Sequence, residues 1–139
     1  MCRKDVANVN KQQVVLLGHS FVGRLRDFMN SSDQYLNLRL NESLFDFTCR
    51  AQRGLTIPRL IHERNDEYTS HTCPNIVYLQ IGGNDLSDKN ITALSVANEI
   101  YSFAHVLHYG LHITIVVMGE RLWRDPMRVH SDYNNNVRH

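Results

Sequence analysis

The sequence has no long apolar run and almost no excess of charge of either sign. Its 139 residues carry a formal net charge of +1, which gives no electrostatic reason to expect nucleic acid or an anionic membrane as a partner. No apolar run approaches the roughly 18 residues needed to span a bilayer. The basic amino terminus has no apolar segment behind it, so no secretory signal is visible. We therefore expect a cytoplasmic protein.

Cysteine is scarce, and its spacing suits neither disulfides nor zinc. The chain has three cysteines, Cys2, Cys49 and Cys73, an odd number with no close pair. Free thiols in a reducing compartment are the expected state of such residues.

Length and composition fit one globular domain. Hydrophobic residues make up 42% of the chain and charged residues 21%, which are ordinary values. A chain of this size buries about 68–70% of its unfolded surface if the domain is complete. We expect residues 1–12 to be a polar lead-in and residues 13–139 to form the domain.

Strand-like and helix-like segments alternate along this domain. Short apolar runs predict strands at 13–17, 44–49, 75–81 and 112–118, of which the first and the fourth are expected to be buried. Helical spacing predicts helices at 21–29, from about Thr56 and Pro58 onward, and around residues 96–107. Residues 34–43 fit either an extended edge segment or a loop. The β-α-β-α-β-α-β order predicts an α/β fold: a three-layer α/β/α sandwich with a parallel sheet.

Ser20 lies where the first buried strand becomes the first helix. The strand 13–17 runs into Gly18, and helical spacing begins at Phe21. A hydroxyl at this turn would stand near the unpaired N–H groups and the positive dipole end of the helix, which favour developing negative charge. The alternative is that Ser20 only caps the helix, which is the commoner role of a serine at such a turn.

Three loops follow predicted strands and carry polar or glycine residues. Ser20 follows the first strand, Gly54 follows the second and Asn84 follows the third. Ligands of open parallel sheets bind outside the carboxyl ends of the strands, so these loops converge if the first strand lies between the second and third. A nucleophilic hydroxyl, a glycine that leaves its N–H accessible and a neutral amide donor together indicate an acyl-transfer site with an oxyanion hole.

This pattern resembles the SGNH (GDSL-type) hydrolases, which are small α/β esterases and lipases. The family's first block, Gly-Asp-Ser-x, is similar to residues 18–21, with His19 in place of Asp. Its second-block glycine resembles Gly54, and its third block, Gly-x-Asn-Asp, is matched by residues 82–85. The resemblance implies a flavodoxin-like sheet ordered 2-1-3-4-5. It also implies Ser20 as the nucleophile and an oxyanion hole made by the Ser20 and Gly54 N–H groups with the Asn84 side chain.

The expected activity is therefore that of a serine hydrolase, cleaving a small acyl or acetyl ester through an acyl-enzyme intermediate. The family's catalytic histidine lies in an Asp-x-x-His block, but no Asp here has His three residues later; Asp125 and His130 are five apart. Either the chain is incomplete, and the gene product continues for roughly 40 residues with a fifth strand, a final helix and this block, or it is a non-catalytic binding domain. We expect a small ester as partner.

Other chemistry-bearing residues have plainer interpretations. His19 adjoins Ser20, so its side chain should point away from the hydroxyl. Asp85 should structure its loop and not act as an acid. Gly82 and Gly83 could form a phosphate nest, but no Lys follows them, which makes a P-loop a weak interpretation.

Two further sets of residues, three histidines and a tryptophan with its neighbours, are candidates for a binding role. His105, His108 and His112 have no nearby carboxylate, so we expect neither a metal nor a cofactor. Trp123, with its neighbouring arginines, would cover the end of the fourth strand or line a pocket mouth.

Overall fold

The computed structural model describes residues 11–62 and 74–119. Its main elements alternate along the chain, which confirms the predicted order. They are β1 (Gln12–Gly18), α1 (Ser20–Asn30), β2 (Phe45–Ala51), α2 (Ile57–His62), β3 (Ile76–Gln80), α3 (Ala93–His105) and β4 (Ile115–Met118). The four strands form one parallel sheet in the order β2-β1-β3-β4. A fifth strand is not among the described residues.

The carboxyl ends of β2, β1 and β3, which are neighbours in the sheet, are level with one another. Gly18 at the end of β1 pairs with Ala51 of β2 on one side and with Gln80 of β3 on the other. The loops that leave these strands therefore start from one edge of the sheet. This register gives the predicted site its location.

The two faces of the sheet are covered by different helices, because successive strand residues point to opposite faces. Val15 and Leu17 pack in one apolar cluster with residues of α2 and α3. Val14 and Leu16 pack on the other face against Val22 of α1. The result is the predicted three-layer α/β/α arrangement.

Residues 34–43 are neither an extended edge nor a simple loop. Asp33–Arg39 form a 3-10 segment that is interrupted by left-handed backbone at Asn37 (φ 52°) and Leu38 (φ 51°). The Asn37 side-chain amide donates to the carbonyl of Phe45 at 2.7 Å. The alternating leucines suggested a strand, but Asn37 anchors a compact turn against the start of β2.

The fourth strand differs from its prediction in length and in burial. It starts at Ile115 and not at residue 112, because His112 has left-handed backbone (φ 58°). Ile115 is 48% exposed and Met118 49% exposed. Among the described residues β4 has a neighbouring strand on one side only, so its apolar side chains are not buried as predicted. None of the helices in the described ranges combines the length and apolarity needed to cross a membrane.

Candidate active site

The end of β1 is shaped by a glycine that has no room for a side chain. A Cβ on Gly18 would collide with the main-chain carbonyl of Gln80 and lie 2.7 Å from Val22 Cγ2. The N–H of the next residue, His19, donates to that same Gln80 carbonyl at 3.3 Å. Gly18 therefore allows the loops after β1 and β3 to approach each other closely.

His19, and not Ser20, is the N-cap of α1. Its Nδ1 accepts from the Phe21 N–H at 3.3 Å, and its side chain is buried. The expectation that His19 points away from the hydroxyl agrees with this contact, since Nδ1 is bound to the helix backbone. The alternative that Ser20 is the capping residue is wrong, because a histidine one residue earlier occupies that role.

Ser20 is the first helical residue of α1 and is half-buried. Within residues 11–62 and 74–119 its hydroxyl makes no hydrogen bond. Its main-chain N–H belongs to the first helical turn, whose N–H groups have no acceptor within the helix. The side chain and the N–H of one residue are thus both available at the positive end of an 11-residue helix.

Gly54 lies at the tip of the loop after β2. Its backbone is left-handed (φ +70°), and no atom lies within 4 Å of the place where a Cβ would be. The loop is joined to β1, since the Gln52 N–H donates to the Gly18 carbonyl at 3.1 Å. It then turns, with the Leu55 N–H donating to the Gln52 carbonyl at 3.2 Å.

Asn84 ties the loop after β3 to the loop after β2. Its side-chain amide donates to the Leu55 carbonyl at 2.9 Å. One of its two amide hydrogens is used in this way, and the second is not bonded within the described residues. Gly54 and Asn84 therefore belong to loops that are directly bonded to each other.

Asp85 is buried and bonds to the first residue of α2, two residues after the main-chain group that Asn84 contacts. Its Oδ1 accepts from the Ile57 N–H at 3.0 Å, and the residue is 3% exposed. Burial raises the pKa of the Asp85 carboxyl above its ordinary value, against the lowering effect of hydrogen bonds from the Ile57 and Asp85 N–H groups. The expected loop-structuring role agrees with these contacts, but its partner Ile57 was not predicted, since nothing in the sequence relates the two.

Gly82 has a packing role that the sequence did not indicate. Its backbone has φ +99°, and an added Cβ would lie 2.9 Å from Ile100 Cδ1 and 3.0 Å from Val96 Cγ1. Both contacts are residues of α3. The glycine thus lets the loop after β3 lie directly against this helix.

The histidines at the end of α3 and after it do not form a metal site with other described residues. No group of three or more His, Cys, Asp or Glu side chains in the described ranges could hold a metal ion. The ring of His105 lies 4.4 Å from that of Tyr109, and His108 Nδ1 is 2.7 Å from the Ile113 carbonyl. A cavity of about 600 Å³ lies beside this group, lined by Tyr101, Ser102, His105, Val106, Tyr109 and Gly110. None of the predicted site residues lines it.

Several expectations concern residues that the structure does not describe. Cys49 is a free thiol in β2, whereas Cys2 and Cys73 lie outside the described residues. The same holds for Trp123, Asp125 and His130. The lead-in is described only from residue 11, and β1 begins one residue earlier than predicted.

In chemical terms, three segments at one sheet edge carry the Ser20 hydroxyl and several neutral donors. The His19 N–H bonds to Gln80 at the end of β3, and the Gln52 N–H, in the loop after β2, bonds to Gly18 at the end of β1. The donors are the N–H groups of Ser20 and Gly54 and the free amide hydrogen of Asn84. Donors of this kind can stabilise an oxyanion without themselves ionising.

Comparison with known proteins gives a likeness at the level of structure. No family model and no curated protein matches the sequence. The fold is similar to that of a lipase/acylhydrolase from Enterococcus faecalis, with 18% identity and a TM-score of 0.63 over 91% of this chain and 68% of that one. It is also similar to a GDSL-like lipase from Bacteroides thetaiotaomicron, with 19% identity and a TM-score of 0.56 over 91% of this chain and 61% of that one.

A Streptococcus pneumonia protein matches with 16% identity and a TM-score of 0.55, over 81% of this chain. The chain spans 47% of the length of that protein and 58% of an acylhydrolase structure from Bacteroides fragilis. At such identities the likeness establishes the fold. The chain has the α/β/α fold of the GDSL-like lipases and acylhydrolases, as the sequence resemblance implied.

Proposed function

We propose that this protein is a serine hydrolase of the SGNH type that cleaves a small acyl or acetyl ester. The observation that carries the proposal is the bonding of the three loops that hold Ser20, Gly54 and Asn84 at one sheet edge. The likeness to GDSL-like lipases and acylhydrolases supports the same reaction class.

In the proposed reaction, Ser20 Oγ attacks the ester carbonyl and loses its proton to a histidine base. The carbonyl oxygen becomes an oxyanion that accepts from the Ser20 and Gly54 N–H groups and from the Asn84 amide. The intermediate collapses, the protonated alcohol leaves, and Ser20 carries the acyl group. Water then attacks the acyl-enzyme through the same intermediate geometry and releases the acid.

The cytoplasm is the proposed location, and a small ester the proposed partner. The Cys49 free thiol is the state that a reducing compartment maintains. We propose no cofactor, because an acyl transfer to serine needs only a nucleophile, a base and oxyanion donors.

The second candidate is a binding domain that keeps the pocket without turnover. One specific observation favours it: no Asp in the sequence is followed three residues later by His, which is where this family's base would stand. Such a domain would retain the loop geometry but would not activate Ser20.

A serine-directed fluorophosphonate probe separates the two candidates. The natural gene product in full length is incubated with the probe, and the labelled peptide is identified by mass spectrometry. Labelling of Ser20 that is lost in Ser20→Ala supports the hydrolase. Absence of Ser20 labelling, together with no hydrolysis of p-nitrophenyl acetate above the buffer rate, supports the binding domain.

A further inference from the structure

Two consecutive side chains, Asn84 and Asp85, hold one short stretch of main chain where the loop after β2 leads into α2. The Asn84 amide donates to the Leu55 carbonyl at 2.9 Å, and Asp85 Oδ1 accepts from the Ile57 N–H at 3.0 Å. The two bonds attach to the main chain two residues apart. Together the two bonds restrain both the position and the orientation of that stretch. With only one of them, the stretch could rotate about the remaining bond.

The tip of this loop, at Gly54, has open space on its side-chain side. Gly54 is exposed, its backbone is left-handed, and nothing lies within 4 Å of its would-be Cβ. Two of the three residues that follow it, Leu55 and Ile57, are fully buried. The position of the Gly54 N–H therefore depends on how these following residues are held, as well as on the bond from the Gln52 N–H to the Gly18 carbonyl before it.

We propose that Asp85 is a positioning residue of this site: through Ile57 it keeps the Gly54 N–H at a fixed distance from the Asn84 amide, without touching the substrate. The inference rests on the proposed function, since it concerns two of the proposed oxyanion donors. Asp85 is 3% exposed, so it does not reach a ligand at the sheet edge. Its effect on catalysis is exerted through the loop.

The protonation state of Asp85 follows from its surroundings. Its Oδ2 is buried and has no hydrogen-bond partner within the described residues, so a charge on that oxygen would be uncompensated. Burial raises the pKa of this carboxyl, and no charged side chain of the described part contributes to the shift. The bond from the Ile57 N–H needs only a lone pair on Oδ1. A neutral acid supplies that lone pair, and so does the carbonyl oxygen of an asparagine.

Two variants of Asp85, one conservative and one disruptive, test the positioning role directly. Asp85→Asn keeps an acceptor for Ile57, whereas Asp85→Ala removes it. Asp27→Asn, at an exposed position on α1, is the matched control for the loss of a carboxylate. In the full-length gene product, two quantities are measured: amide hydrogen exchange at Ile57 and Gly54, and the rate at which a fluorophosphonate labels Ser20.

In Asp85→Ala we expect faster exchange at Ile57 and a labelling rate lower by about 10- to 100-fold, because a small misplacement of oxyanion donors is costly. Asp85→Asn should restore most of the rate, and Asp27→Asn should equal the wild type. If Asp85→Ala does not fold, Asp85→Leu, which is similar in size and lacks an acceptor, takes its place.

The outcomes separate this inference from the proposed function. Faster exchange at Ile57 with an unchanged labelling rate overturns the positioning role and leaves the hydrolase proposal standing. A rate for Asp85→Asn as low as that for Asp85→Ala also overturns it, because the Oδ1 acceptor would then not be the cause. A wild type that is not labelled overturns the hydrolase proposal and the positioning role together.

Discussion

Asn84 donates its side-chain amide to the main-chain carbonyl of Leu55 at 2.9 Å, across 29 positions of sequence. This bond has two consequences for the proposed site. It joins the loop after β3 to the loop after β2, and it fixes the rotation of the amide so that its second hydrogen has a defined direction. A donor that is already oriented needs no reorganisation when an oxyanion forms, which is the main source of such stabilisation.

Replacing Ser20 should remove reactivity and leave stability unchanged. The Ser20 hydroxyl has no hydrogen bond within the described residues and is not the N-cap of α1. Ser20→Ala should therefore abolish labelling by a phosphonate while the melting temperature stays within about 2 °C of the wild type. Labelling that persists in the mutant would show that another residue is the nucleophile.

Replacing Asn84 should lower kcat more than it changes KM. The residue is proposed to donate to the oxyanion, which exists only in the transition state and intermediate. Asn84→Ala should cost about 10²–10³ in kcat with little change in KM. Asn98→Ala, at an exposed position of α3, is the control. A change confined to KM would mean that Asn84 binds the substrate and does not stabilise the transition state.

Two glycines near the site should respond to alanine with opposite signs. A Cβ on Gly18 collides with the Gln80 carbonyl, whereas a Cβ on Gly23, inside α1, would lie 3.5 Å from Ala51 Cβ, an ordinary contact. Gly18→Ala should lower the free energy of unfolding by about 1–3 kcal/mol. Gly23→Ala should raise it by about 0.5–1 kcal/mol. Urea denaturation of both variants measures these values, and equal effects would contradict the role given to Gly18.

The stability of the protein should depend on pH through Asp85. Burial raises the pKa of this carboxyl in the folded state, so between the unfolded and the folded pKa the folded protein holds a proton that the unfolded chain has lost. The Asp85 contribution is therefore fully present below the unfolded pKa and is lost as pH rises through the folded pKa.

Asp85→Asn cannot lose a proton and should lack this component. Urea denaturation of both proteins from pH 4 to pH 7 measures it as a difference in slope, with the wild type falling more steeply as pH rises. Parallel curves for the two proteins would show that Asp85 has no raised pKa in the folded state.

Patterns within short segments were enough to predict most of the fold. The run Val14–Leu17 is apolar at every position, which is typical of a strand covered on both faces, and β1 is such a strand. Alternation with helical spacing then implied parallel pairing, since parallel neighbours need a crossover. The prediction failed at β4, where an apolar run is exposed, because burial depends on what lies beside a strand and not on its own residues.

The candidate site, too, was predicted in part from short segments of sequence and in part became visible only in the tertiary structure. Residue type and position at a strand end selected Ser20, Gly54 and Asn84 from the sequence alone, because parallel strands deliver their carboxyl ends to one edge. The N-cap at His19 and the bonds of Asn84 to Leu55 and of Ile57 to Asp85 were decided only by the tertiary structure. Such bonds join residues far apart in the chain, and their geometry depends on the packing of whole elements, which no local pattern encodes.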